Sequence, residues 1–252
     1  MKNKSDKIIG IIVPIIPIIC ILLIWETTAK TTGNDYIIPD IESTVSKFFG
    51  LFIHADFYSA LFGTLLRSFI AFIISFAIAL LLAFLSVKHT NGKRAITPLI
   101  AITRALPTIA IVLLLVIWTN SKVAPVIVTM LVVLPTTYTN CIAAFDSVDK
   151  DAVEMCRLFN VPQTSVFKKV ILPQMTPQLL YSVGAGFSLN LKLMVAAEVI
   201  SQTPYSMGFL LNYSKTYYET STMLALVIVS VIIGLSVELI FNALSKKAGK
   251  KQ

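Results

Sequence analysis

The chain has 252 residues, 56% of them hydrophobic and 13% charged, with a mean hydropathy of +0.82. Soluble domains carry about 25% charged residues, so this composition excludes an ordinary soluble protein and points to a polytopic membrane protein. The formal net charge of +8 reads as topology in that setting. No Lys/Arg run is interleaved with aromatics, so nucleic acid is not an expected partner. Cys20, Cys141 and Cys156 are too few and too scattered for a disulfide framework. His54 and His89 stand alone, without metal-ligand spacing.

Residues 1–7 carry Lys2, Lys4 and Lys7, and residues 8–25 then run 18 positions without a charge. That is close to the shortest helix that crosses a bilayer. The basic start also fits a cleaved signal peptide. The apolar run exceeds the usual core of about 7–15 residues for such a peptide, so a retained first span is expected. Residues 26–61 are mixed, with turn residues at Gly33, Asn34, Asp35, Pro39 and Asp40. Ile41, Val45, Phe48, Phe49 and Phe52 follow near helical spacing, which predicts a short amphipathic helix on the outer surface.

The second span is predicted over residues 62–87, with Arg67 near its start, and a basic loop follows over 88–94. The third span covers residues 104–120, its beginning kinked by Pro98 and Pro107. After a tight turn at Ser121-Lys122, the fourth covers 123–145. A polar insert occupies 146–178. The fifth and sixth spans cover 179–200 and 223–244, separated by a polar, Tyr-rich stretch over 201–222. The predicted fold class is an all-α integral membrane protein, with six transmembrane helices in a single transmembrane domain over residues 1–252.

Six spans place both termini on one side. The N-terminal segment, the 88–94 loop, the insert and the tail hold 3, 3, 4 and 4 basic residues, while the other connections hold only Lys30, Lys47, Lys122 and Lys215. Basic residues favour the cytoplasmic side, so the termini and the insert are expected there.

The insert is helix-patterned. Asp149 suits an N-cap, and Asp151 and Glu154 place negative charge in the first turns. A helix is expected through Phe159. Asn160 tolerates the left-handed conformation wanted just past a helix end, and Pro162 stops continuation. A second short helix is expected over 163–169, closed by Pro173, with Val153, Cys156, Leu158 and Phe167 available to pack. The insert then reads as a stiff two-helix knob.

This stretch resembles the "EAA" loop of bacterial ATP-binding-cassette (ABC) importer permeases, whose pattern is E-A-A, three residues, G, then F-x-x-V-x-L-P. Glu154 matches the Glu, Met155-Cys156 the two alanines and Asn160 the Gly. Phe167-Lys-Lys-Val170-Ile-Leu172-Pro173 matches the rest. The departures are Met155-Cys156 for Ala-Ala and Asn160 for Gly. Asn is the next best residue for a positive φ, so the turn is expected to survive. Thr103-Arg-Ala-Leu-Pro107, Val195-Ala-Ala-Glu198 and Ser206-Met-Gly208 look like the sulfonate, taurine, nitrate and thiamine-precursor branch of these permeases.

The resemblance implies a permease subunit of an ABC importer in the bacterial inner membrane. It forms the pathway for a small solute, an anion or a vitamin precursor. It implies a cytoplasmic coupling loop in which Glu154, Met155, Cys156, Arg157, Leu158, Phe159, Asn160, Phe167 and Pro173 meet the ATPase. The implied partners are a dimer of ABC ATPase subunits, a second permease subunit (a homodimer rather than a heterodimer), an extracytoplasmic substrate-binding protein and the lipid bilayer. The chain has no G-x-x-x-x-G-K-[ST] phosphate cradle. ATP and Mg are therefore expected in the partner ATPase, with no cofactor, metal or catalytic residue on this chain.

Ionisable residues at bilayer depth cost about 2.5–3.5 kcal/mol on insertion scales, so each calls for a reason. Lys192 lies about 20 Å into the fifth span, with Asn190 and Ser188 on alternate positions before it. It faces a translocation path, or else it snorkels or pairs. Its six-residue spacing from Glu198 is about 120° around a helix, which rules out pairing along one face. Glu198 lines an outer gate or holds the polar stretch that follows. Arg67 and Arg104 are expected to snorkel to the interfaces. The rival reading is an ion-gradient-driven secondary carrier, which calls for inverted repeats and central carboxylates. Neither is visible. A membrane-embedded enzyme needs a clustered acid, base or nucleophile set, and none is present.

Overall fold

The computed structural model describes residues 4–89 and 91–250, with side chains at residue 13 and from residue 16 onward. Among these residues there are eleven α-helices and no strand. They are α1 Lys4–Thr32, α2 Ile41–Leu51, α3 Ala55–Lys88, α4 Gly92–Ala105, α5 Thr108–Trp118, α6 Ala124–Asp146, α7 Lys150–Leu158, α8 Gln163–Val166, α9 Leu172–Ser201, α10 Met207–Thr216 and α11 Thr220–Gly249. A π-helical segment, Phe167–Ile171, joins α8 to α9.

Among the described residues, four helical runs are long and apolar enough to cross a membrane: Ala55–Lys88, Ala124–Asp146, Gln163–Ser201 and Thr220–Gly249. The pair α4 and α5, bent by 89°, makes a fifth if counted as one span. The expected first span, residues 8–25, falls inside α1. Its side chains at 8–12, 14 and 15, and those of Lys2, Lys4, Lys7 and Lys251, lie outside the described residues.

The expected third span, residues 104–120, takes a different form. Its helix α5 has 11 residues, about 16 Å at 1.5 Å per residue, too short to cross alone. The cause is local. Leu106 is extended (φ −70°, ψ 127°), as the ring of a following proline requires. The preceding helix therefore stops at Ala105, and the chain turns before Thr108.

Contacts divide the chain into two compact units. One comprises residues 1–57 and 210–229, the other residues 58–209 and 230–252. In the first, the linker after α1 is pinned at both ends. Trp25 Nε1 donates to the Pro39 carbonyl at 2.9 Å, and Thr220 Oγ1 donates to the Tyr36 carbonyl at 2.6 Å. The Glu26 carboxylate accepts from Ile41 N at 3.3 Å and pairs with Lys30 at 2.9 Å. Asp40 caps α2 by accepting from Ser43 N at 2.8 Å, and hydrogen bonding from Ser43 holds its carboxyl below the ordinary range. Helix α2 leaves Val45, Phe49 and Phe52 exposed, the apolar stripe expected of an interfacial helix.

In the second unit, Ala79, Ala83, Ile96, Ile100, Tyr138 and Cys141 form one apolar cluster, which brings α3, α4 and α6 together. Val112, Val128 and Ala197 form another, uniting α5, α6 and α9. Small residues at these contacts allow close backbone approach, the packing mode available to helices in lipid. Polar cross-links reinforce it: Ser75 Oγ donates to the Met130 carbonyl at 3.3 Å, and Ser86 and Tyr138 share a hydroxyl bond of 2.8 Å.

Candidate functional site

The insert folds around α7. Asp149 is its N-cap, accepting from Asp151 N at 2.9 Å and Ala152 N at 3.3 Å. The Asp149 N–H donates to Gln174 Oε1 at 2.7 Å, which ties the start of α7 to α9. At the other end Asn160 has φ +54°. Val161 N donates to the Cys156 carbonyl and Asn160 N to the Arg157 carbonyl, both at 3.0 Å. This paired closure satisfies carbonyls that a helix end otherwise leaves open. The left-handed turn expected at Asn160 is therefore present, with Asn standing where glycine is favoured.

The second half of the insert departs from expectation. Pro173 does not close a short helix. Residues 163–201 form one helical run of 39 residues, in which α8 passes through the π segment into α9. Leu172 N reaches back five residues to the Phe167 carbonyl. A proline inside a regular helix lacks one N–H and crowds the carbonyl four residues back. The wider π turn just before it makes room, so Pro173 falls in the first turn of α9, where a missing N–H costs little. The insert is thus one separate helix on a tight turn, set against an extension of the long helix.

Exposure divides the α7 side chains. Val153 and Cys156 turn partly inward. Glu154 and Arg157 are exposed, and so are Met155, Leu158, Phe159 and Phe167. Leu158 therefore does not pack inside the insert as expected; it and Phe159 each keep 77% of their surface open. Beside α7 lies a cleft of about 830 Å³, lined by Phe145, Val153, Glu154 and Arg157 among others. A capped helix that presents adjacent large apolar side chains and charges can dock a partner.

The opposite end of α9 carries a second polar constellation. Glu198 is fully buried. Its carboxylate accepts from Arg67 Nε at 2.8 Å, Thr64 Oγ1 at 2.8 Å and Gly208 N at 3.4 Å. Thr64 Oγ1 in turn accepts from Met207 N at 2.9 Å, and Arg67 Nη2 donates to the Tyr205 carbonyl at 3.1 Å. The carboxylate thus sits at the N-terminus of α10, where helix N–H groups favour an anion. It joins α3, α9 and the 202–209 segment. Two glycines make the seat possible. A Cβ on Gly208 would lie 2.5 Å from Val199 N, and one on Gly63 would overlap the Tyr205 carbonyl. Tyr205 itself has φ +51°, a strained conformation for a bulky residue.

Of the polar residues expected at membrane depth, Lys192 is exposed on α9, whereas Asn190 and Glu198 are fully buried. Asn190 Nδ2 donates to the Ser68 carbonyl at 2.8 Å, cross-linking α9 to α3. Glu198 accepts from Gly208 N, so it is bonded to the polar stretch that follows. Arg67 does not snorkel; it is the partner of Glu198. Arg104 instead donates through Nη2 to Thr139 Oγ1 at 2.6 Å and the Pro135 carbonyl at 3.3 Å. The sequence reading missed Thr64, Arg67, Tyr205 and Gly208 as one group. The available signal was depth, because Arg67 and Glu198 both lie toward the same end of their spans. Among the described residues no group of His, Cys, Asp and Glu could hold a metal ion.

Residues 75–250 match the family described as binding-protein-dependent transport system inner membrane component. The chain belongs to that family. It is a permease of the ABC transport class, and the matched region contains the whole insert and Glu198. Similar proteins include the taurine transport system permease protein TauC of Escherichia coli (strain K12), 26% identical over 151 residues, 60% of this permease and 54% of TauC. The formylaminopyrimidine transport permease protein ThiX of Halalkalibacterium halodurans (strain ATCC BAA-125 / DSM 18197 / FERM 7344 / JCM 9153 / C-125) is 22% identical over 190 residues, 75% of this permease and 74% of ThiX. The fold resembles the crystal structure of an amino acid ABC transporter with histidines. There the TM-score is 0.64 at 20% identity, covering 81% of this permease and 96% of that chain.

Proposed function

We propose that this permease forms the translocation pathway of an importer for a small anion or vitamin precursor, driven by ATP and Mg in a separate pair of ATPase subunits. Two copies of the permease form the pathway in the bacterial inner membrane, with both termini and α7 in the cytoplasm. An extracytoplasmic binding protein delivers the solute. The relatives named for taurine and formylaminopyrimidine transport support this solute class.

The observation that carries this reading is α7 itself. It is capped at Asp149, closed by the left-handed turn at Asn160, and exposes Met155, Leu158 and Phe159. Exposed apolar residues on a rigid helix are suited to burial in a partner's groove. Movement of that groove during hydrolysis would pass through α7 and the Asp149–Gln174 bond into α9, tilting the spans. Lys192, exposed on α9, faces the pathway. Tagged permease isolated from native membranes carries the ATPase with it under this account. Replacing both Leu158 and Phe159 by serine lowers ATPase recovery while leaving permease yield unchanged. Equal ATPase recovery from the double variant would refute the assignment of α7 as the docking helix.

A further inference from the structure

Helix α4 presents a second polar face that none of the roles above uses. Lys93, Thr97, Ala101 and Arg104 recur at helical spacing, so they share one side of the helix. With Tyr138 and Thr139 of α6 they line a groove of about 550 Å³. That volume lies within the range that accommodates small molecules, about 300–1,000 Å³.

The chemistry of the groove is one-sided. No carboxylate lines it. Among the described residues neither Lys93 nor Arg104 forms an ion pair. The Arg104 guanidinium is nonetheless held in place. Thr139 donates its hydroxyl hydrogen to the Pro135 carbonyl at 2.9 Å, which leaves its lone pairs to accept Arg104 Nη2 at 2.6 Å. Nη2 also reaches the Pro135 carbonyl at 3.3 Å. The Nε and Nη1 donors have no hydrogen-bond partner among the described residues. A guanidinium oriented by two hydrogen bonds, with its remaining donors unspent and no acid beside it, matches the oxygens of an oxyanion. Lys93 lies three turns away on the same face, so it adds attraction at a distance and is not a second ligand.

We propose that the groove between α4 and α6 binds an oxyanion group, a sulfonate, phosphate or carboxylate, with Arg104 as its direct ligand and Lys93 as its attracting charge. The group comes from a small solute or from the headgroup of an anionic phospholipid. The site belongs to this chain alone and does not depend on ATP coupling, so its failure would leave the proposed transport function standing.

The test uses the full-length permease in nanodiscs of phosphatidylcholine only, titrated with methanesulfonate by calorimetry. Saturable binding is expected. Arg104→Gln should weaken it roughly tenfold or more, the loss typical of a charge-assisted bond. Arg104→Lys should fall in between, and Lys30→Gln should match the wild type. Lys93→Gln and Thr139→Val should each cause a smaller loss, which keeps the test open if Arg104→Gln folds poorly. A second arm adds phosphatidylglycerol. If a lipid phosphate fills the groove, methanesulfonate binding disappears there, and mass spectrometry finds more retained phosphatidylglycerol on the wild type than on Arg104→Gln. If the solute fills it, methanesulfonate binding persists. Wild-type permease that neither binds methanesulfonate nor retains phosphatidylglycerol would overturn the proposal. So would folded Arg104→Gln, Lys93→Gln and Thr139→Val variants that match the wild type in both arms.

Discussion

Arg67→Ala should destabilise the permease more than Glu198→Ala, although both remove one half of the same ion pair. The asymmetry comes from burial. The Glu198 side chain has no exposed surface, whereas 18% of the Arg67 side chain is exposed. Without Arg67, a buried carboxylate keeps only the Thr64 hydroxyl and the Gly208 N–H. Removing one partner of a buried pair costs about 3–5 kcal/mol, because an uncompensated charge remains. Without Glu198, Arg67 keeps its bond to the Tyr205 carbonyl and can turn toward water. What remains is chiefly a lost hydrogen bond to a charged group, about 1.5–3 kcal/mol. The double variant Arg67→Ala/Glu198→Ala should then be more stable than Arg67→Ala alone, which requires a coupling larger than the Glu198→Ala loss, about 3 kcal/mol, the upper end for residues in contact. The assay is the apparent Tm of purified protein in one detergent, together with the SDS fraction at half-unfolding. Equal losses from the two single variants, or an additive double variant, would refute the account of Glu198 as the buried anchor of the 202–209 segment.

Two further perturbations probe local geometry. Asn160→Gly should leave stability unchanged or raised, because φ +54° is free to glycine, whereas Asn160→Val should open the turn. Faster proteolytic cleavage at 159–162 reports that opening, and unchanged cleavage in Asn160→Val would contradict it. Gly208→Ala should lower the Tm by an amount comparable to Glu198→Ala, because its Cβ would lie 2.5 Å from Val199 N and displace α10 from the carboxylate. A wild-type Tm would show that the segment relaxes freely.

The features legible in sequence were those set by neighbours along the chain. Asp149 as N-cap and Asn160 as left-handed closure follow from residue type and spacing alone. Pro173 ordinarily ends a helix, and here that effect is cancelled by the π turn before it. That turn depends on which carbonyl each N–H selects, not on composition. A kink near Pro107 is legible in the sequence but its size is not: an apolar run carries no record of direction, and the 89° bend between α4 and α5 preserves the hydropathy while breaking the helix. The Arg67–Glu198 pair joins residues 131 positions apart. Nothing local to either specifies the other, so each looked like an isolated charge near a span end.

The central claim is that α7 couples this permease to ATP hydrolysis in another chain. The most direct measurement is solute uptake into proteoliposomes that hold the permease, its co-isolated ATPase and the binding protein. The account predicts uptake that requires ATP and Mg, persists when ion gradients are collapsed, and is lost in Glu154→Lys although that variant inserts normally. Uptake driven by an ion gradient without ATP, or unimpaired in Glu154→Lys, would contradict it.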